Sequence, residues 1–240
     1  MLVQAGSKNI LVDLGISYKR LGEKLRELDM SVERLDGVLI THEHIDHISG
    51  LPVFMKNCDV RVFAKDDTWR NMKFWRELRR NYCQSLPDSL LLDELQIEAF
   101  DIPHDAVQPV GFNLYHNGYK CSILTDVGFP GSMVKERIKD ADFLVLEANH
   151  DLDMLSSGNY PQALKQRIRS NRGHLSNEDA GWLLSNVIEN KNINVLLAHL
   201  SQENNTPQAA MQTVADILTR TGKLHKVKLQ VAMQEKTIIM

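Results

Sequence analysis

Four candidate metal ligands, His42, His44, Asp46 and His47, lie within six consecutive positions of the chain, in the sequence His42-Glu43-His44-Ile45-Asp46-His47. They follow directly on a short apolar stretch that predicts a buried strand. Residues two apart on an extended chain point the same way, so His42 and His44 are expected to share one ion. Asp46 and His47, after a bend into a helix, are expected to reach a neighbouring ion. Imidazole and carboxylate donors suit zinc, manganese or iron.

Further donors follow other predicted strands, and two ions need them because one cluster cannot fill two coordination shells. His104 with Asp105, Asp126 and His199 each come directly after an apolar stretch. An aspartate can bridge two ions through its two oxygens, which makes Asp126 the natural shared ligand. Asp13 also ends a predicted strand, and we expect it to accept a hydrogen bond from the imidazole of a ligand histidine.

Apolar stretches alternate with amphipathic stretches along the chain, which predicts an α/β or layered α+β domain. Strands are predicted at residues 9–13, 37–41, 60–63, 95–102, 120–125, 143–146 and 194–198, with one or two more in 226–239. Helices are predicted at residues 18–28, 48–56, 67–82, 133–139, 160–169, 176–189 and 207–221. We expect a single domain over residues 1–240.

Composition limits the class of protein but does not choose the substrate. The chain has 240 residues, 43% of them hydrophobic, and a net charge of −3, which neither indicates nor excludes a nucleic-acid partner. No apolar stretch approaches the roughly 18–20 residues of a membrane span, and the start does not resemble a signal peptide. The three cysteines are scattered, which is typical of a reducing compartment and argues against a cysteine-ligated zinc. A cytoplasmic location is expected.

The sequence from His42 to His47 resembles the HxHxDH signature of the metallo-β-lactamase superfamily, and Leu11-Val12-Asp13-Leu14-Gly15 resembles its early aspartate motif. The resemblance spans nearly the whole chain. It implies a four-layer αβ/βα sandwich of the α/β (α+β) class. It also implies two divalent ions, the first held by His42, His44 and His104, the second by Asp46, His47 and His199, with Asp126 bridging.

Three later segments, around Glu147, at 173–176 and at 199–201, resemble the tRNase Z-like nuclease branch of the superfamily. In that branch a glutamate and a histidine act together to protonate the leaving oxygen of a phosphodiester. The resemblance assigns this pair to Glu147 and His174, with His174 the general acid that Glu147 keeps protonated. Asp46 would orient the attacking water as well as ligate.

Longer segments, at 104–112, 146–151, 173–178 and 199–205, are similar to the YycJ/WalJ (VicX) family. This resemblance implies an exonuclease that cleaves single-stranded DNA or RNA through a metal-activated hydroxide, and a functional link to the WalK–WalR two-component system. Members of the family begin with a further strand and a Ser-x-Gly-Ser-x-Gly-Asn loop, so an N-terminal strand is expected to be missing here. Further candidates for substrate contacts are His150, Ser176, Asn177 and Ser201.

Two other classes of function remain open from the sequence. One is a different hydrolase of the same fold, such as a glyoxalase II-like thioesterase or a lactamase-like enzyme. The other is a regulatory protein of the WalK–WalR pathway that keeps its metals for structure. The pair Glu147 and His174 favours phosphodiesters, because a thioester has a good leaving group and needs no such acid. Trp69, Trp75 and Tyr82 have aromatic rings that could stack on bases, but their helical spacing favours packing.

Overall fold

The computed structural model describes residues 1–189, 191–233 and 236–240, and strands alternate with helices through them. The strands are β1 (Leu2–Ala5), β2 (Lys8–Val12), β3 (Gly37–Leu39), β4 (Val62–Ala64), β5 (Cys83–Ser85), β6 (Ser89–Leu92), β7 (Leu95–Asp101), β8 (Val110–His116), β9 (Tyr119–Leu124), β10 (Phe143–Glu147), β11 (Ile193–Ala198) and β12 (Val227–Val231). The helices are α1 (Tyr18–Arg26), α2 (Ile45–Ile48), α3 (Leu51–Asn57), α4 (Asp66–Asn71), α5 (Ser132–Ile138), α6 (Leu152–Ser157), α7 (Gln162–Ile168), α8 (Asn177–Val187) and α9 (Pro207–Arg220). The chain divides into two compact units, residues 1–99 with 106–110, and residues 100–105 with 111–240.

The first unit contains a five-stranded sheet in the order β1-β2-β3-β4-β5. Strands β1 and β2 pair antiparallel, and the other neighbours pair parallel. Helix α1 begins at Ser17, whose hydroxyl accepts a hydrogen bond from Arg20 N, and it buries Leu21 and Leu25 one turn apart. These leucines join the apolar core of this unit. Parallel pairing of β2 and β3 brings the residues that follow both strands to the same edge of the sheet.

In the second unit, β12, β11, β10, β9 and β8 lie in that order in one sheet. Strands β9 to β12 are parallel, whereas β8 and β9 form an antiparallel pair. Strand β10 reads Phe-Leu-Val-Leu-Glu and its last four residues are buried, as expected for a central parallel strand. Because β9, β10 and β11 run parallel as neighbours, the residues at their carboxyl ends meet at one edge of the sheet.

Most of the predicted elements are present, with boundaries within a few residues of the prediction, but the helix predicted at 67–82 is wrong. Helix α4 ends at Asn71, whose side-chain amide donates to Asp67 O at 2.8 Å. The next residue, Met72, donates its N–H to Trp69 O at 3.3 Å, an i→i−3 bond that ends the α-helical pattern, and the chain goes on in two short 3-10 turns, Trp75–Glu77 and Arg80–Tyr82. The helix predicted at 48–56 is two helices, α2 and α3, which meet at Gly50.

Strands β1, β5, β6 and β8 were not predicted. The predicted strand region at 226–239 contains β12, and residues 234 and 235 of it lie outside the described part of the chain. The single domain remains a prediction. Within the described ranges, no helix has the length and apolar character that crossing a membrane requires.

Candidate metal centre

The first unit gathers the donors of the sequence motif around a single turn of helix. His44 is the N-cap of α2, so the motif passes from extended chain into helix at this residue. The ring centroids of His42 and His44 are 4.6 Å apart, and those of His42 and His47 are 4.2 Å apart. His47 Nε2 lies 3.5 Å from Asp46 Oδ2. His42 and His47 are buried, whereas the side chain of Asp46 is 64% exposed.

Asp13 holds the imidazole of His47 from behind. Its Oδ2 lies 2.8 Å from His47 Nδ1, and its Oδ1 accepts from Thr41 N at 2.8 Å. Burial alone would raise the pKa of Asp13, but the neighbouring His47 outweighs burial and lowers it. Since His47 Nδ1 donates to this carboxylate, its Nε2 keeps a lone pair for a metal ion. A Cβ on Gly15 would lie 1.5 Å from Asp46 O, so only glycine lets the Asp13 loop approach the motif.

The second unit gathers a second set of donors at the carboxyl ends of its parallel strands. Atoms of Asp126, Glu147, His174 and His199 lie within 4.8 Å of one another. Asp126 Oδ1 is 3.5 Å from His199 Nε2 and 3.9 Å from His104 Nε2. Asp126 and His199 have φ of 58° and 56°, a left-handed backbone that side chains adopt rarely and that often marks functional sites. Asp126 thus lies beside two imidazoles, as a bridging ligand would.

Glu147 contacts two histidines, one more than the sequence led us to expect. Its Oε1 lies 2.8 Å from His174 Nδ1 and 2.7 Å from His199 Nδ1. Its Oε2 accepts hydrogen bonds from Val127 N and Leu175 N, and the residue is fully buried. Burial would raise the pKa of Glu147, but the two imidazoles outweigh it and lower the pKa to about 2. Burial likewise opposes the charged form of His174, yet Glu147 raises its pKa.

His104 is buried and held by backbone on its far side. Its Nδ1 lies 3.1 Å from Gly173 O, and Arg172 Nε donates to His104 O at 3.0 Å. Burial lowers the pKa of His104, which favours the neutral, metal-binding form. The neighbouring Asp105 forms an ion pair with Arg167, so its charge is already balanced.

Three of the four predicted substrate contacts have their side-chain polar groups engaged within the protein. Ser176 caps α8, accepting from Asp179 N at 3.0 Å and donating to Asp179 Oδ2. The side chains of Asn177 and Asn205 hydrogen bond to each other in both directions, and Asn177 is only 1% exposed. The hydroxyl of Ser201 accepts from a backbone N–H of its own loop. These three side chains therefore bond within the protein, and their direct contact with substrate stays a prediction.

His150, the fourth, differs from these three. It is 2% exposed, and within the described part of the chain its Nδ1 has no hydrogen-bond partner. Burial lowers the pKa of His150 to about 4, so the ring is neutral. It lines a cavity of about 410 Å³ that also reaches His174. Two aromatic residues of this cavity, Phe129 and Trp182, were not predicted, because neither lies in a segment that resembles the family.

The fold and the donor sets define the class of protein. Residues 8–199 match the family described as "Beta-lactamase superfamily domain". The structure is similar to that of YhfI of Bacillus subtilis, a metallo-β-lactamase fold protein, with a TM-score of 0.71 and 17% identity over 96% of this chain and 87% of that one. The chain therefore belongs to the metallo-β-lactamase superfamily, which confirms the predicted fold class. It carries a cluster of histidines and aspartates able to bind metal ions.

Two curated relatives identify the family within this superfamily to which the chain belongs. Exodeoxyribonuclease YycJ of Bacillus anthracis is 34% identical over 225 residues, which cover 92% of this chain and 85% of the relative. Exodeoxyribonuclease WalJ of Streptococcus pneumoniae is 34% identical over 223 residues, covering 91% and 83%. Within the superfamily, the predicted membership of the YycJ/WalJ family is confirmed.

Proposed function

We propose that the chain is a metal-dependent exonuclease that hydrolyses phosphodiester bonds in single-stranded nucleic acid, with DNA as the preferred substrate. The observation that carries the proposal is the contact of 2.8 Å between Glu147 Oε1 and His174 Nδ1, beside Asp126. An alkoxide leaving group needs a proton, and a histidine held by a buried carboxylate supplies one. Both curated relatives named above are exodeoxyribonucleases, which supports the same reaction and substrate class.

The histidine and aspartate donors suit divalent ions, and the family resemblance implies two of them in this chain. Zinc and manganese are the first candidates and iron is a third. His47, His104 and His199 each direct Nδ1 at an acceptor of their own unit, which leaves Nε2 to coordinate. The proposed ligands are those that the family resemblance implies: His42, His44 and His104 for one ion, Asp46, His47 and His199 for the other, with Asp126 shared. When bound, the ions supply positive charge to the phosphoryl oxygens and an activated water.

Three residues of the chain would then orient the attacking water, supply the proton and position the imidazoles. Asp46, the exposed member of the motif, orients the attacking water. His174 donates the proton from Nε2 to the leaving oxygen, because its Nδ1 is held by Glu147. Glu147 has a further task, since the same oxygen orients the ring of His199.

The contacts of Glu147 with His174 and His199 favour a nuclease over the two other functions considered, a thioesterase and a regulatory protein. A thioesterase needs no protonated leaving group, and a buried Glu147 between two histidines would then serve orientation alone. A regulatory protein needs no proton donor at all. A cytoplasmic location and a functional link to the WalK–WalR system remain predictions from the sequence and the family resemblance.

The test is degradation of end-labelled oligonucleotides, single-stranded and duplex, DNA and RNA, with manganese or zinc added. Asp126→Asn should lose metal and activity together. His174→Gln should keep its metal and lose about 10²–10⁴-fold in kcat, the usual contribution of general acid catalysis. His225→Gln, at an exposed histidine far along the chain, is the matched control and should equal the parent.

Two results would contradict the proposal. If Asp126→Asn degrades DNA as fast as the parent, the activity comes from a contaminating nuclease. If the parent hydrolyses a thioester such as S-lactoylglutathione and leaves every oligonucleotide intact, the chain is a thioesterase of the same fold.

A further inference from the structure

The second unit has a cavity of about 410 Å³ whose wall includes the proposed proton donor His174. This volume lies in the range of about 300–1,000 Å³ that small-molecule sites occupy. The cavity is formed by the loop after β9, helix α5, the segment after β10, the loop after α7 and one face of α8. Its lining includes Phe129, Lys135, His150, Arg169, Asp179 and Trp182.

His150 gives this cavity a buried polar atom that awaits a partner. The side chain is 2% exposed, and its Nδ1 makes no hydrogen bond within residues 1–189, 191–233 and 236–240. The backbone of His150 is fixed, because its carbonyl oxygen accepts from Asn177 N at 2.8 Å. Buried polar groups nearly always have a partner in native proteins, so this nitrogen indicates a ligand with a complementary donor or acceptor.

Two aromatic side chains at the same cavity are unusually open to solvent. Phe129 is 61% exposed and Trp182 is 45% exposed, and both line the cavity. The guanidinium carbon of Arg220 lies 5.8 Å from the centre of a ring of Trp182 and helps to orient it. Exposed aromatic faces beside a cavity are surfaces on which planar ring systems stack.

Two cations complete the lining and favour an anionic ligand. Lys135 and Arg169 both line the cavity, and Arg169 Nη2 donates to Leu152 O at 3.1 Å, which holds the guanidinium in place. Among the described residues of the lining, Asp179 alone carries a carboxylate, and its Oδ2 accepts from the hydroxyl of Ser176. The net charge of the acidic and basic side chains in the lining is therefore positive.

We propose that this cavity binds one nucleotide of the substrate strand, the nucleotide next to the phosphodiester that is cleaved. The base stacks against Phe129 and Trp182, one edge of it hydrogen bonds to His150, and Lys135 and Arg169 neutralise the adjoining phosphate. The proposal rests on the proposed nuclease function, since His174 in the cavity wall relates the bound nucleotide to the bond that breaks. A base must leave its stack and its pairing partner to enter, so the cavity also selects single strands.

The test compares KM for a short single-stranded oligodeoxynucleotide among Phe129→Ala, Trp182→Ala and the parent. We expect each variant to raise KM about 5- to 150-fold, the effect of losing one base–aromatic stack. Tyr119→Ala is the matched control: Tyr119 is a 63% exposed aromatic residue of the same unit, outside the cavity, and its KM should not change.

A second substrate makes the test specific to the base. The same oligonucleotide with an abasic nucleotide beside the first bond to be cleaved should raise the KM of the parent by at least the factor that either variant causes. On this abasic substrate, Phe129→Ala and Trp182→Ala should have the same KM as the parent, because no base is present for either ring to contact. Additive effects of the variant and the abasic substrate would overturn the proposal, and so would variants whose KM equals that of Tyr119→Ala.

Photo-crosslinking of the parent protein gives a reading that does not depend on how well a variant folds. An oligonucleotide with 5-bromodeoxyuridine at the same position should crosslink to the peptide of Phe129 or Trp182. Crosslinks found only outside the cavity would overturn the proposal.

If the parent degrades DNA while these cavity tests fail, the cavity proposal is wrong and the nuclease function stands. If the parent degrades no nucleic acid, the proposed function fails and the cavity proposal fails with it.

Discussion

Replacement of Glu147 by glutamine changes one buried atom. It should affect both the proton donor His174 and the proposed metal ligand His199, because Glu147 contacts both. In the parent, both oxygens of Glu147 accept hydrogen bonds, Oε1 from two imidazoles and Oε2 from two backbone N–H groups. A glutamine keeps only one acceptor oxygen. Its NH₂ group must therefore face either the imidazoles of His174 and His199 or the two backbone donors.

Each orientation has its own consequence. With the NH₂ toward the imidazoles, both Nδ1 atoms must accept, so the proton moves to Nε2 and His199 can no longer coordinate through that atom. Metal affinity should then fall about 10–100-fold, as expected when the partner of a ligand histidine is lost. With the NH₂ toward the backbone, two buried N–H groups lose their acceptor, which costs about 1–3 kcal/mol each.

The assay combines metal titration, urea unfolding and kcat on a labelled single-stranded oligonucleotide. Glu147→Gln should show either the weaker metal binding or a free energy of unfolding lower by about 2–6 kcal/mol, together with a large loss of kcat. His174→Gln is the comparison, since it removes the proton donor and leaves Glu147 to orient His199. It should lose kcat alone.

A Glu147→Gln protein that matched the parent in metal affinity and in stability, while losing the same kcat as His174→Gln, would contradict the double role of Glu147. Glu147 would then serve the proton donor only, and the contact of 2.7 Å to His199 Nδ1 would carry no orienting role.

Three further predictions concern the surroundings of the site and the stability of the fold. Asp13→Asn should lower metal affinity about 10–100-fold by weakening the hold on the last histidine of the motif, measured by titration with a chromogenic chelator. Gly15→Ala should reduce activity strongly, because its Cβ would lie 1.5 Å from Asp46 O; activity equal to the parent would show that the loop can shift freely. Asp142 has a lowered pKa, since hydrogen bonds outweigh burial, so it stabilises the fold above pH ~4 and this contribution is lost as the pH falls through its folded pKa. Asp142→Asn should cost about 1 kcal/mol at pH 7 in urea unfolding, and this cost should shrink as the pH falls through the folded pKa of Asp142.

The positions of the ligand-type residues could be predicted because each follows an apolar strand. Strands are short and regular in their apolar content, so the sequence places Asp13, Asp126 and His199 at strand ends. Their left-handed backbone could not be predicted, because it is set by what the chain meets after the strand and not by the strand itself. The same holds for the second contact of Glu147, which depends on the register of β10 beside β11.

The cavity shows the other limit of sequence reasoning. Trp69 and Trp75 are aromatic residues that could stack on bases, but their ring centroids lie 5.4 Å apart and Trp69 is in the core of the first unit. Trp182 lies on α8 among buried apolar residues, and its sequence neighbours give no hint that its own ring faces solvent. Exposure depends on which face of a helix the rest of the chain covers, and that is a property of packing.

His174 is the proposed proton donor of this metal-dependent nuclease. Its role can be measured as the rate at which the parent and His174→Gln release nucleotides from a labelled single-stranded DNA, at equal metal content per chain. We expect degradation by the parent and a rate lower by about 10²–10⁴-fold in the variant. Equal rates, or intact DNA with the parent, would contradict the assignment.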